Sequence, residues 1–352
     1  MRVKLGIIGY GVIGRLHMAA AAKSPLIEVA AVADLIEDRA REAAAQYGIP
    51  KIYRDGKDLI RDPNVEAVVL AFPAATRTRY ALKALARGKH VLTEKPVAMN
   101  SGEVRRMIKA RGDRVVACCS SRYQFLPSAE AARKFFASGA LGALRSVHCR
   151  VFSAAGSKPQ SAPPTWRLRK AENGGGILMN WGCYDLDYLL SITGWTLRPR
   201  LVLGQTWTIP PQLAENAAPG SDAETHLAAL IRCDGDAAIT YERGEYMAVQ
   251  SESSWQIIGS GGSLRLTMGP AARKMIHFDS AGAEKGMQSR VIWEGDEEPQ
   301  WDLVHGGPVN DFAGAILDKR APRTGLEQAL LIQGISDAIY ASALKGKAVA
   351  VK

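Results

Sequence analysis

Two short segments of this 352-residue chain hold residue types whose spacing suits one chemistry. Gly9-Tyr10-Gly11-Val12-Ile13-Gly14 follows the apolar run Val3–Ile8, and Glu94-Lys95-Pro96 follows the run His90–Thr93. The first has the glycine spacing of a phosphate cradle. Gly9 permits a tight turn, Gly11 lets the backbone approach a pyrophosphate, and Gly14 lets the following helix lie close to a sheet. That helix, with Val12 and Ile13 in its first turn, offers unpaired N–H groups and partial positive charge to phosphates. Asp34 ends the next apolar run, where an acid accepts hydrogen bonds from ribose hydroxyls and repels a 2′-phosphate. NAD is therefore favoured over NADP, although Arg15 and Arg39 lie close enough to keep NADP open.

Lys95 in the second segment is an ionisable amine set directly before a proline, which excludes helix and fixes the local backbone. A cis Lys95–Pro96 bond is open to this sequence and would hold the amine rigidly. Beside a cationic nicotinamide and partly desolvated, such a lysine gives up its proton more readily and can exchange it with a substrate hydroxyl. A dinucleotide and a lysine brought to one end of a sheet read as an oxidoreductase.

The elements that must position these groups follow from the periodicity. Val3–Ile8, Glu28–Ala33, Ala67–Ala71, His90–Thr93 and Arg114–Cys118 read as buried strands. Ile13–Lys23, Glu37–Tyr47, Thr76–Arg87 and Gly102–Arg111 read as the helices between them, with Gly48 and Gly88 as stops. The alternation predicts an α/β fold that opens with a doubly wound parallel sheet, a Rossmann domain over residues 1–120. From 121 to 352 the texture changes to an α+β domain with an open, mostly antiparallel sheet, the substrate-binding part. Its expected helices are Ser128–Ala137, a segment from near Gly176 to Leu190, Val309–Asp318 and Leu326–Leu344. Its expected strands are Leu144–Phe152, Arg200–Trp207, His226–Cys233, Ala237–Glu242, Ser254–Ile258 and Ser263–Met268, with a loop over Ala154–Pro164.

Length and composition set the outer limits. The size predicts two domains, and the ordinary apolar and charged content excludes a disordered or fibrous chain. No apolar run is long enough to cross a membrane, and the first strand leaves no room for a signal peptide, so a soluble cytoplasmic protein is expected. The five cysteines form no C-x-x-C pair and no zinc-like spacing with the six histidines, so no metal is expected. The net charge of +10 arises from arginines scattered among acids, which reads as a solvated surface and not as a nucleic-acid site.

The chain resembles the Gfo/Idh/MocA family, the group of glucose–fructose oxidoreductase, inositol dehydrogenase and the rhizopine catabolism proteins. The resemblance runs over essentially the full length. It rests on Gly6-Ile7-Ile8-Gly9-Tyr10-Gly11-Val12-Ile13-Gly14, on Ala86-Arg87-Gly88-Lys89-His90-Val91-Leu92-Thr93-Glu94-Lys95-Pro96, and on Ser138-Gly139-Ala140-Leu141-Gly142. Trp166-Arg167, Gly174-Gly175-Gly176 and Val309-Asn310-Asp311-Phe312 extend it. It implies NAD(P)-dependent oxidation or reduction of a secondary alcohol in a sugar or cyclitol, and a homodimer or homotetramer built on the second sheet. It also implies a cofactor set that adds Phe72, Pro73, Arg77 and Glu94 to the cradle residues, Asp34, Arg39 and Lys95.

Two departures bear on the chemistry. Where many family dehydrogenases carry an Asp and, four residues later, a His, this chain has Asn180 and Tyr184, with Asp187 at the third polar position. A tyrosine there resembles the dimeric dihydrodiol dehydrogenases and the deoxysugar 3-ketoreductases, which implies a Lys95–Tyr184 proton relay with Asn180 beside it and Asp187 bracing the helix. After the third strand the family's Thr-Pro-x-x-x-His is replaced by Phe72-Pro73-Ala74-Ala75-Thr76-Arg77. Arg77, with Arg79, Arg122 and Arg167, admits an anionic substrate, and Trp166 belongs to the same expected substrate set. Two other readings stay open on the same fold: a cofactor-binding sensor without chemistry, and an NAD-dependent glycosidase.

Overall fold

The apolar runs at the start of the chain form strands whose side chains are buried on both faces, as a parallel sheet covered by helices requires. The structure is a computed structural model, and it describes every residue except Met1 and Ala162, so position 162 of the expected Ala154–Pro164 loop lies outside the described residues. In chain order the elements are β1 (Val3–Ile8), α1 (Val12–Lys23), β2 (Ile27–Ala33), α2 (Glu37–Tyr47), β3 (Lys51–Tyr53), α3 (Gly56–Arg61), β4 (Ala67–Leu70), α4 (Ala74–Ala86), β5 (His90–Thr93), α5 (Ser101–Ala110) and β6 (Val116–Cys118). The strands pair in parallel in the order β3-β2-β1-β4-β5-β6. Chain order reverses between β1 and β4, and ligands of such sheets bind beyond the strand ends at that point. The short β3 and α3 were not anticipated, because three and six residues are too few to carry a periodic signal.

Two apolar cores form on this sheet. One gathers Leu59, Leu70, Leu85, Val91, Val104 and Met107. The other gathers Leu5, Ile7, Met18, Val32, Val69 and Leu92. Local chemistry fixes the helix ends. Gly48 closes α2 in the left-handed conformation at φ 67°. Asn100 caps α5 by accepting the Glu103 N–H at 3.0 Å, while Glu103 reaches back to the Met99 N–H at 3.2 Å.

Then come α6 (Pro127–Ala137), β7 (Leu144–Ala154), the short α7 (Lys170–Asn173), α8 (Cys183–Ile192), β8 (Pro199–Thr208), β9 (Glu224–Cys233), β10 (Ala238–Met247), β11 (Glu252–Gly259), β12 (Ser263–Leu266), β13 (Lys274–Gly282), β14 (Gly286–Gly295), α9 (Trp301–Leu317), α10 (Leu326–Lys345) and β15 (Val349–Ala350). The second sheet has the order β14-β13-β12-β11-β7-β10-β9-β8-β15, antiparallel except for the β7–β10 pair. The β13–β14 hairpin was missed, because most of β14 is exposed and its residues do not alternate between apolar and polar. The structure also starts α9 well before the expected Val309, with Pro308 inside the helix.

Contacts divide the chain into two units, Met1–Arg122 with Asp302–Leu331, and Tyr123–Trp301 with Ile332–Lys352. No helix among the described residues is long and apolar enough to cross a membrane.

Candidate active site

In the first unit the cradle glycines divide by the reason each is a glycine. Gly9 sits at φ 94°, and a Cβ there would strike the Ala71 carbonyl. A Cβ on Gly14 would collide with the Gly9 carbonyl oxygen. The fold itself needs both. Gly11 differs: its backbone is extended at φ −77°, which any residue adopts, and a Cβ there would meet nothing within 4 Å. It opens α1 without a side-chain cap, so the first amides of the helix keep no side-chain acceptor at that position. Val12 is 85% exposed and Leu35 77%, an unusual display of apolar surface beside a helix start.

Asp34 follows β2, and each of its oxygens is fixed by a backbone amide, Oδ2 by Tyr10 at 2.6 Å and Oδ1 by Ile36 at 2.8 Å. Each oxygen keeps a lone pair for a further donor. Arg15 is committed elsewhere: it grips Glu42 with two nitrogens at 2.5 and 2.8 Å and lies over the Tyr10 ring at 5.0 Å. Arg39 is exposed on the first turn of α2. These residues fit a dinucleotide without a 2′-phosphate: an open glycine, free amides, apolar flanks and a fixed acid.

Lys95 leaves β5 through a cis Lys95–Pro96 bond and is half-buried. Its turn is held from three sides. Arg77, on α4, is buried and donates to the carbonyls of Glu94 and Lys95, the latter at 3.2 Å. The Glu94 carboxylate accepts from His17 Nε2 at 2.7 Å, from Arg122, and from the Lys95 N–H at 3.0 Å. Burial alone would push the Glu94 carboxyl up, but the Arg122 charge, the His17 hydrogen bond and Lys95 hold it well below its ordinary range. His305, on α9, is pushed down to about 4 by burial and by the Arg122 and His17 charges. Cys119 lies near His17 at 3.9 Å, its thiol pushed well up by burial and by Glu94. His17, Glu94 and Cys119 are metal-ligand types lying close together. A guanidinium already occupies the carboxylate, which is where a cation would sit. Phe72 stacks edge-on against Tyr80 at 5.1 Å, and Pro73 precedes α4 as its cap.

In the second unit Gly174 ends α7 in the left-handed conformation at φ 81°. A Cβ on Gly176 would collide with the Glu224 backbone, so the glycine run lets the chain lie against β9. The buried Glu224 carboxylate then accepts the Gly176 and Leu178 amides at 2.9 and 3.1 Å, while Tyr340 donates to it at 2.8 Å. The expected helix from near Gly176 needs correction. It starts as a π-helical turn, Leu178–Gly182, before α8. A π-turn changes the angular step, so the four-residue spacing of Asn180 and Tyr184 does not by itself place them on one face.

Tyr184 is buried, its ring edge-on to Tyr123 at 5.3 Å and to Trp181 at 5.6 Å. Asn180 is half-buried on the π-turn. Asp187 is fully buried and accepts from Gln124 at 2.5 Å. Trp166 is exposed, and Arg167 pairs with Glu245 and donates to the Tyr246 hydroxyl at 3.0 Å. Arg77, Arg122 and Arg167, expected to admit an anion, thus each face protein acceptors. Sequence reasoning passed over Asp185, whose carboxylate accepts from Tyr241 (3.0 Å), Arg243 (2.6 and 2.8 Å) and Trp255 (3.1 Å). It also passed over His17, for which one signal existed: a histidine on the apolar face of α1 with Met18 and Ala21 must find a partner. A groove of about 460 Å³ on the second sheet, lined by His148, Leu203, Leu230, Thr240 and Glu242 among others, contains none of the expected site residues.

Comparison with known proteins bears on these findings. Residues 3–119 match the family profile described as "Oxidoreductase family, NAD-binding Rossmann fold", and residues 129–265 match the GFO/IDH/MocA C-terminal domain. The chain is 28% identical over 230 residues to levoglucosan dehydrogenase of Pseudarthrobacter phenanthrenivorans, covering 63% of this chain and 58% of that protein. It is 32% identical over 197 residues to trans-1,2-dihydrobenzene-1,2-diol dehydrogenase of Mus musculus, covering 55% and 57%. The matched stretch thus spans a little under three fifths of each of these relatives. Among solved structures, levoglucosan dehydrogenase in complex with NADH and levoglucosan superposes with a TM-score of 0.84 at 22% identity over the whole of both chains. An oxidoreductase domain protein from Kribbella flavida does so at 0.86 and 23%. At such identities the superpositions establish the fold.

Proposed function

Because the chain belongs to the Gfo/Idh/MocA oxidoreductase family, whose NAD-binding Rossmann fold it carries, we propose that it is an NAD-dependent dehydrogenase or ketoreductase acting on a secondary alcohol of a neutral sugar, sugar derivative or cyclitol. The single observation that carries this reading is Gly11, a glycine that neither backbone conformation nor packing requires and that a close-lying ligand backbone would. Gly9, Gly11, Val12, Ile13 and Gly14 would hold the pyrophosphate, and Asp34 the adenosine ribose. NAD, when bound, supplies the hydride acceptor, or in reduced form the donor.

The rest falls to side chains. Lys95 and Tyr184 handle the proton of the reacting hydroxyl, an ammonium lowering the cost of the phenol's acting as an acid. Asn180 and Trp166 orient the substrate, and Asp187 with Gln124 braces the helix that carries Tyr184. The pairing of Arg77, Arg122 and Arg167 with protein acceptors favours a neutral substrate over an acid.

A turnover screen with NAD and NADP against sugars, sugar acids and inositols tests the proposal. Nicotinamide reduction or oxidation is expected with a neutral polyol or keto-sugar. Lys95→Ala and Tyr184→Phe should each cut turnover by about a hundredfold or more while NADH affinity stays within a few-fold. Full turnover in both variants would remove the relay. Aglycone release without net NADH would point to a glycosidase, and cofactor binding without turnover to a sensor.

A further inference from the structure

The buried cluster behind Lys95 has a composition that the packing of the first unit alone does not account for. Glu94 is 4% exposed and His17 fully buried, and a carboxylate is costly to bury unless it serves charges that need it. Three elements converge on it: His17 from α1, Arg122 from the turn after β6, and the N–H of Lys95 itself. A carboxylate only accepts, so His17 Nε2 carries the hydrogen of that bond, while among the described residues no partner reaches its Nδ1. The other titratable or charged groups near Glu94 are Cys119, Arg77 at its carbonyl, and His305.

We propose that His17 and Glu94 are positioning residues for Lys95: the carboxylate, clamped by His17 and Arg122, fixes the lysine's backbone at the end of β5 and so sets where its amine stands relative to that negative charge. The inference rests on the oxidoreductase reading for its consequence in turnover, but not for its charge effect. Lys95 and Glu94 stabilise each other's charged forms, and that attraction is one of the causes holding the Glu94 carboxyl low. Removing the negative charge should therefore make the amine release its proton at lower pH. His17 acts at one remove, by orienting the carboxylate.

The test reads the amine directly. In the holoenzyme with NADH, the acetylation rate of Lys95 by acetic anhydride is followed against pH by peptide mass spectrometry. Glu94→Gln should lower the midpoint by about one to three pH units. His17→Ala should lower it in the same direction by less, and His17→Gln, which keeps a donor towards Glu94, should restore it. The acid limb of kcat/KM should move with the labelling midpoint, and kcat should fall about tenfold or more with little change in NADH affinity.

A purely structural role would lower the melting temperature and leave the labelling midpoint in place, and that result overturns the proposal. An equal midpoint in wild type and Glu94→Gln does the same, whether or not any substrate is turned over. If the midpoint moves but Lys95→Ala retains full turnover, the charge relation stands and the oxidoreductase role of the lysine falls.

Discussion

Asp185→Asn should be among the most damaging single changes in the second unit, although the residue adjoins the expected catalytic tyrosine without being part of the expected site. Its carboxylate accepts four hydrogen bonds, from Tyr241, Trp255 and twice from Arg243. It is wholly inaccessible, and Arg243 is 7% exposed. Burial opposes the Arg243 charge while Asp185 sustains it. The amide keeps an acceptor but loses the charge, leaving a buried guanidinium without its counter-ion, a cost of about 3–5 kcal/mol. Arg243 also lies over the ring of Trp181, within the π-turn, at 4.8 Å, so the first turn of α8, which carries Tyr184, loosens with it.

Native-state hydrogen exchange read by peptide mass spectrometry is the assay. Peptides of α8 and β10 should lose about 3–5 kcal/mol of protection, whereas β1 and β4 in the other unit should be unchanged. The double change Asp185→Leu with Arg243→Leu should cost much less than the sum of its parts, since it removes both charges together. A loss under about 1 kcal/mol for Asp185→Asn, or additive single effects, would refute the reasoning.

Other outcomes follow from the first unit. Asp34→Ala should weaken NAD binding about tenfold and raise the NADP to NAD affinity ratio, measured by calorimetric titration; an unchanged ratio would remove Asp34 as the discriminating acid. His305 is held at about 4 against its ordinary 6.5, so the unfolded chain takes up a proton over a range where the native protein does not. Its stabilising contribution is complete above pH 6.5 and is lost as pH falls from there to about 4. The ceiling is about 3 kcal/mol, reduced to about 1–2 by solvent screening of a half-buried ring. His305→Gln should flatten that acid limb in thermal melts between pH 7 and 4, and a limb as steep as wild type would count against it.

The parallel sheet was legible because most of its strands are short, largely apolar runs alternating with helix-period segments, a pattern that depends only on neighbours in sequence. The lysine turn was legible because Pro96 restricts the residue before it, again a local effect. What holds that turn was not. His17 and Arg122 lie 77 and 28 residues from Glu94, and nothing in either segment signals the pairing. The Asp185 cluster spans separations of 56 to 70 residues and forms only once β10 and β11 lie beneath α8. Arg77 shows the same limit in reverse. As a residue type it promised an anion site, whereas burial turned it onto the carbonyls of the lysine turn. The π-turn at Leu178–Gly182 escaped because glycine content reports permission and not geometry. A Cβ on Gly182 would meet Leu178 of the same turn at 2.7 Å and Tyr241 of β10 at 2.8 Å, the second a contact that only the folded sheet supplies.

The cofactor cradle is tested most directly by titrating NADH, followed by nicotinamide fluorescence, into the wild-type protein and Gly11→Val. The valine fits the extended backbone and the open space around it, so the variant should melt within about 1 kcal/mol of wild type. The account predicts binding by wild type and a loss of about a hundredfold or more in the variant, where the branched side chain occupies the pyrophosphate's place. Equal NADH affinity in the two proteins would contradict it.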